Sequence, residues 1–208
     1  ASRAINATGV AVGKGAAYHA CTMTLHGGLT RNDLAVRLEG EGAEARLFGT
    51  YALGDGEHTD NTLAVEHLVP HCSSQQLYKG VLDGVSKGVF QGRIGVARDA
   101  QRTDGQQLHK AILLSRHAEV DTKPELEIFA DDVKCSHGAT AGALDDDSLF
   151  YLRARGLDDA TARGLLIEAF LDDVLDHVAL DDARDFMKGL VAGWLDTKHL
   201  GHVAEAAE

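Results

Sequence analysis

Through the first 140 residues, apolar and polar positions alternate in short runs. Cys21, Met23 and Leu25 alternate with Thr22 and Thr24, and Leu34, Val36 and Leu38 with Ala35 and Arg37. Leu63, Val65, His67 and Val69 alternate with Ala64, Glu66 and Leu68. Further on, Leu108, Ile112 and Leu114 share a face with Lys110, while Leu126 and Ile128 alternate with Glu125 and Glu127. Successive side chains of a strand leave opposite faces, so a period of two predicts a half-buried strand. Between the runs sit Gly27, Gly28, Gly40, Gly42, Gly54, Gly56, Gly84, Gly88 and the pair Asp104-Gly105, residues suited to turns. The region reads as many short strands. No strict hexapeptide or nonapeptide repeat decides between sandwich, barrel and solenoid.

After Gly142 the period lengthens. Asp145 to Asp147 supply a cap and first-turn acids for a helix over 148–155, closed by Gly156. Asp158 caps a second helix, whose Ala162, Leu165, Leu166, Ala169, Phe170, Val174 and His177 form an apolar stripe opposite Asp172, Asp173 and Asp176. A third helix starts near Asp181 and puts Phe186, Leu190 and Trp194 on one face; the tail from Lys198 to Glu208 reads as frayed. The expected organisation is a β core over 1–141 and a helical domain over 142–208.

Composition narrows the function. Hydrophobic residues make up 44% and charged residues 25% of the chain, an ordinary globular balance. Net charge is −12, and residues 141–208 hold 15 Asp and Glu against 6 Lys and Arg. An acidic chain lacks the basic footprint that nucleic acid or an anionic membrane requires. No apolar run is long enough to span a bilayer, and Ala1 to Val12 lacks the apolar stretch of a secretion signal. The start, without Met, reads as the cut end of a longer protein. Cys21, Cys72 and Cys135 are odd in number and far apart, which fits reduced thiols of a cytoplasmic protein rather than a disulfide framework or zinc ribbon.

Candidate chemistry is sparse. Cys135 and His137 leave the same face if Val133 to Gly138 is a strand, and thiolate with imidazole suits iron or an iron–sulfur cluster. Taken by themselves, the two are better explained as a packed thiol and a hydrogen-bonded imidazole. His71 and Cys72 would face opposite ways in a strand, and His19 with Cys21 is assigned to structure. Asp131-Asp132 and Asp145 to Asp147 read as solvated acids, the latter at a helix start. Gly13-Lys14-Gly15 lacks the spacing of a phosphate-binding loop, and no HExxH occurs among the histidines.

Two stretches carry more. From His58 to Gly80 the chain reads HTDNTLAVEHLVPHCSSQQLYKG; from Glu119 to Thr140 it reads EVDTKPELEIFADDVKCSHGAT, followed by LFYLRARG from Leu149 to Gly156. Both resemble the SufB/SufD family of the SUF iron–sulfur cluster assembly system, and the second is highly specific to it. The match is strong from His58 to Phe170, weaker over 1–57, and weak beyond Leu171. SufB-type chains carry Glu where this chain has Gly138, and a cysteine on a strand upstream, whereas Gln101 to Arg116 contains none. Both departures place the chain on the SufD side.

The resemblance implies a right-handed parallel β-helix followed by a small C-terminal α-helical domain, the chain being the C-terminal half of a family member. It implies a non-enzymatic scaffold that pairs with SufB and recruits the ATPase SufC; a homodimer is one state open to the chain alone. The docking region for SufC is expected around Phe150, Tyr151, Leu152, Arg153 and Arg155. No cofactor is expected on the isolated chain; a transient iron–sulfur cluster would sit at the SufB–SufD interface, with His137 as a ligand and Cys135 nearer a structural role. The rival reading, a polysaccharide-active enzyme on a β-solenoid, needs aromatic platforms, against which stand an aromatic content of 5% and a single Trp.

Overall fold

The computed structural model of the chain describes residues 2–198. Ten strands come first: β1 (Arg3–Val12), β2 (Ala17–Thr24), β3 (Leu29–Leu38), β4 (Glu44–Leu53), β5 (His58–His67), β6 (Ser73–Leu82), β7 (Lys87–Val96), β8 (Thr103–Leu113), β9 (Glu119–Ile128) and β10 (Val133–Gly142). Three helices follow: α1 (Asp146–Ala154), α2 (Asp159–Leu175) and α3 (Asp181–Thr197). Odd strands form one sheet and even strands another, each five strands wide and parallel throughout. The chain is therefore a parallel β-solenoid followed by helices, the mainly β class that the sequence predicts.

Parallel stacking in register sets like on like along the lumen. Leu34 lies on Leu63 and Val36 on Val65. Asn6, Asn32 and Asn61 form a ladder in which each side-chain amide donates to the next at 2.9 Å. Aromatic rings fit the same way. Gly49 pairs with Tyr78 and Tyr51 with Gly80; a Cβ on either glycine would fall 2.1 Å from the opposing ring. Each tyrosine thus lies across a strand only because its neighbour has no side chain. Gly88 and Gly105, expected in turns, sit inside β7 and β8 for a related reason, since both stand on the lumen side where space is short.

The turns before the even strands also stack. Gly15, Gly42, His71 and Arg102 all have positive φ. Their N–H groups donate to Glu41, Pro70, Gln101 and Asp132 carbonyls respectively, one coil further on. This corrects the placement of His71 in a strand beside Cys72: His71 is in the turn, and the buried Cys72 thiol donates to Gly40 O at 3.3 Å.

β4 and β6 are buried on both faces over most of their length. One face is the lumen; the other is covered by the helices, where Ala52 and Val81 share a core with Ile167, Leu171, Leu175, Val191, Trp194 and Leu195. The helix caps are as expected, with Asp145 accepting from Ser148 N, Asp158 from Thr161 N, and Gly156 in the left-handed region after α1. The buried faces agree only in part, with Ala162, Val174 and Trp194 buried as expected. α2 buries Ile167, Leu171 and Leu175 and leaves Ala169 and His177 exposed, and α3 buries Val191, Trp194 and Leu195 while Phe186 is 68% exposed. α2 is wedged between a sheet and its neighbouring helices, so its buried arc is wider than one stripe and turned from the predicted one. The expected frayed tail lies outside the described residues, apart from Lys198, which follows α3.

Two lumen histidines are held neutral. His67 meets Ser74 Oγ at 2.8 Å, and His109 sits between Tyr51 Oη and Thr122 Oγ1, each at 2.9 Å. Burial pushes both imidazoles down to about 4. Between 4 and the ordinary 6.5 the unfolded chain binds protons that the folded chain does not, so stability falls as pH drops through that window. Urea titrations should show a loss approaching about 3 kcal/mol per histidine between pH 6.5 and 4. A His67→Gln/His109→Gln variant should show a flatter profile over the same window; an equally steep one would assign the loss to other groups.

Candidate functional site

The last coil ends the solenoid with two open edges. β9 pairs only with β7 and β10 only with β8. Pro124, which has no N–H to give a ladder, lies on β9, where an edge position accommodates it. The inward row of this coil, Val120, Thr122, Leu126, Val133 and Cys135, is half-buried instead of buried, because no further coil covers it.

Cys135 and His137 stand on this edge two residues apart, both on the lumen side: Cys135 pairs with Gly105, and His137 with the buried Gln107. Cys135 packs against the buried cluster of Ile94, Val96, Ala100 and Ala130. Burial pushes its thiol up, with the Gly105 N–H pulling the other way. A Cβ at Gly105 would lie 3.4 Å from Cys135 Sγ and 3.3 Å from Ile94, so the thiol occupies a place that a small residue keeps open. His137 is exposed and, among the described residues, makes no hydrogen bond or ion pair. Gly138 faces the outer side, where its added Cβ would sit 3.1 Å from Leu108. No group of three or more His, Cys, Asp or Glu able to hold a metal occurs among the described residues. Cys135 and His137 are therefore the two candidate donors on this edge, two residues apart on β10.

Beneath the edge is a polar column that the sequence reading missed. Gln76 and Gln107 are in register and joined by a 2.9 Å hydrogen bond, and beside them His109 stacks on Phe90 at 4.6 Å. The signal was present: Gln75-Gln76-Leu77-Tyr78-Lys79 recurs as Gln106-Gln107-Leu108-His109-Lys110, and the two segments pair residue for residue.

The expected docking residues form a separate patch on α1. Phe150 is 74% and Tyr151 56% exposed. Arg155 lies over the Tyr151 ring at 4.9 Å and Arg153 reaches Asp159 at 3.4 Å. Leu152 is half-buried and lines a shallow cleft with Tyr151 and Leu166. Phe186 and Leu190 of α3 and Leu180 before it are also exposed, Leu180 beside His19 and Phe48 and so away from the α1 patch. The helices are tied to the solenoid by Lys79 of β6, a buried amine 2.6 Å from Asp173 of α2 and 4.5 Å from the Phe170 ring. Asp173 also borders an open cleft of about 330 Å³ along β6, β8 and β10 that includes Ser136 and His137. The other sequence candidates stay apart: His19 pairs with Glu44 at 2.7 Å, Asp132 with Arg102, and Asp145 caps α1.

Removing Asp173 leaves the Lys79 amine buried without its counter-charge, whereas removing Lys79 leaves a solvated carboxylate. Asp173→Ala should therefore cost about 2 kcal/mol in urea unfolding, and Lys79→Met clearly less. The reverse order would show that the pair does not anchor the helices.

Comparison with known proteins bears on the whole chain. Residues 1–170 match the family described as SUF system FeS cluster assembly, SufBD core domain. An iron–sulfur cluster assembly SufBD family protein of Synechocystis is 40% identical over 190 residues, covering 90% of this chain and 42% of that protein. The iron–sulfur cluster assembly protein SufD of Escherichia coli is 42% identical over 146 residues, 70% of this chain and 34% of its own length. A SufBD family protein of Mycobacterium leprae is 35% identical, over 84% of this chain and 46% of the relative. The chain thus spans less than half the length of each of these relatives.

Proposed function

The chain belongs to the SufBD family of SUF-system iron–sulfur cluster assembly proteins, and from that premise we propose that it is the C-terminal portion of a SufD-type scaffold that pairs with SufB and recruits the ATPase SufC. The observation that carries this reading is the last coil: two unpaired parallel edges enclose an open lumen mouth with His137 on its rim. Unpaired N–H and C=O groups are a template for another chain's strands. A SufB edge laid against β9 and β10 would bring its own side chains to the mouth. His137 then supplies a neutral imidazole lone pair and a SufB cysteine a thiolate, and the nascent cluster, the cargo of the complex, is held between the two subunits. Cys135 supports the edge by packing. Alone, the same edge is open to a second copy.

SufC meets the helices through Phe150, Tyr151, Leu152, Arg153 and Arg155, a mixed aromatic and cationic surface of the kind that concentrates binding energy. Force generated there reaches β6 through Asp173 and Lys79. The scaffold itself performs no hydrolysis and works in the cytoplasm, with no helix of the described residues long and apolar enough to cross a membrane. A polysaccharide-active enzyme draws little from the outer sheet face, where Arg31 bridges Asp33 and Asp60, and Arg93 bridges Glu66 and Glu127.

Removing the helices wholesale is a poor test of docking, because it bares the apolar outer faces of β4 and β6. Point changes serve better. Co-purified with SufB and SufC, His137→Ala should keep the complex intact and lower cluster yield on the order of tenfold, with Cys135→Ser much milder. Phe150→Asp with Tyr151→Asp should weaken SufC binding by about 2 kcal/mol or more in calorimetry without changing the far-UV spectrum. Unchanged cluster yield in His137→Ala would remove the histidine from the site, and unchanged SufC affinity would move docking elsewhere.

A further inference from the structure

One in-register column runs through the even sheet on its lumen side: Leu47, Gln76, Gln107 and His137 on β4, β6, β8 and β10. The two amides are buried, Gln107 at 3% exposure. Gln107 Nε2 donates to Gln76 Oε1 on the preceding coil at 2.9 Å. The amide is pinned from the facing sheet as well, for a Cβ on Gly92 would lie 2.0 Å from Nε2. Gln107 Oε1 is buried and has no partner. Gln76 Nε2 is likewise buried without a partner. Gln107 Nε2 is committed to β6, and the residue stacked about 4.8 Å from Gln107 on the other side, toward the open mouth, is His137. That imidazole, in turn, makes no hydrogen bond among the described residues. The Asn6, Asn32 and Asn61 ladder runs with the opposite sense, its donors turned toward the later coils, so a spare acceptor on the last residue is particular to the glutamine pair.

We infer that Gln107 is a positioning residue for His137: once the exposed imidazole turns inward, the buried Oε1 accepts the N–H of one ring nitrogen, fixes a single neutral tautomer, and leaves the lone pair of the other nitrogen facing the open mouth. A ligating histidine is oriented in this way when its second nitrogen is held by a fixed acceptor. The same contact satisfies the orphaned carbonyl. The usefulness of the fixed lone pair rests on the reading of His137 as a cluster ligand; the contact itself does not.

Long-range proton–nitrogen spectra of the 15N-histidine-labelled chain at pH 8 test the contact, with the His137 signals assigned by their loss in His137→Ala. The unsubstituted chain should show one tautomer at His137, and Gln107→Met, near in volume and unable to accept, should show both. Gln107→Glu, which retains an acceptor, should return a single tautomer. Unperturbed His67 and His109 signals certify the fold in each variant. Mixed tautomers in the unsubstituted chain overturn the inference whether or not any variant folds, as does a single tautomer surviving in a folded Gln107→Met. In the three-subunit complex, Gln107→Met should lower cluster yield on the order of tenfold, with no further loss when combined with His137→Ala. A locked tautomer together with full yield in His137→Ala keeps the contact and removes the ligand. A His137→Ala defect together with full yield in a folded Gln107→Met keeps the ligand and removes the role of Gln107.

Discussion

The whole molecule depends on parallel pairing in register between successive coils. A slip of one residue would turn every lumen side chain outward. Within that constraint, polar residues can be buried at the centre of a β-structure. An asparagine over an asparagine, or a glutamine over a glutamine, meets its own complement, and the hydrogen bond offsets the desolvation that would otherwise exclude it. The reciprocal placement of Tyr51 over Gly80 and Tyr78 over Gly49 follows from the same geometry, since each large ring needs a vacancy one strand away.

The two sheets serve different ends. The odd sheet turns a ladder of paired charges to solvent, where such pairs contribute little to stability but keep the face hydrated. The even sheet carries Phe48, Ala52, Leu77 and Val81 on the outer side of β4 and β6, and α2 and α3 cover them. α1, which carries the exposed Phe150, packs on α2 and is thereby linked to the sheet whose last strand carries His137. The Lys79–Asp173 pair crosses that shared face.

Where burial was one-sided, alternation showed through in the sequence: β3, β5 and β9 were legible because one face is lumen and the other solvent. β4 and β6 were not, because burial on both faces erases the period of two. The helix caps at Asp145, Asp158 and Gly156 are local chemistry and could be read directly. The buried arcs of α2 and α3 are set by what packs against them, so Phe186 is exposed although it shares the predicted face with the buried Trp194. His137 and Cys135 were reachable through motif and spacing. Gln107 was hidden, since its significance lies in the residue stacked above it, and only the recurrence of the Gln-Gln-Leu segment hinted at the alignment.

Each coil touches only the coils beside it, which makes the solenoid quasi-one-dimensional. A complete turn of about 30 residues, once duplicated or lost, changes the distance between the two ends while leaving both ends chemically as they were. Over evolutionary time such a chain can lengthen or shorten its reach in whole-turn steps. The mouth at β10 and the helices seated on β4 and β6 would pass through each step unaltered, so divergence in size need not bring divergence in what the working end can hold.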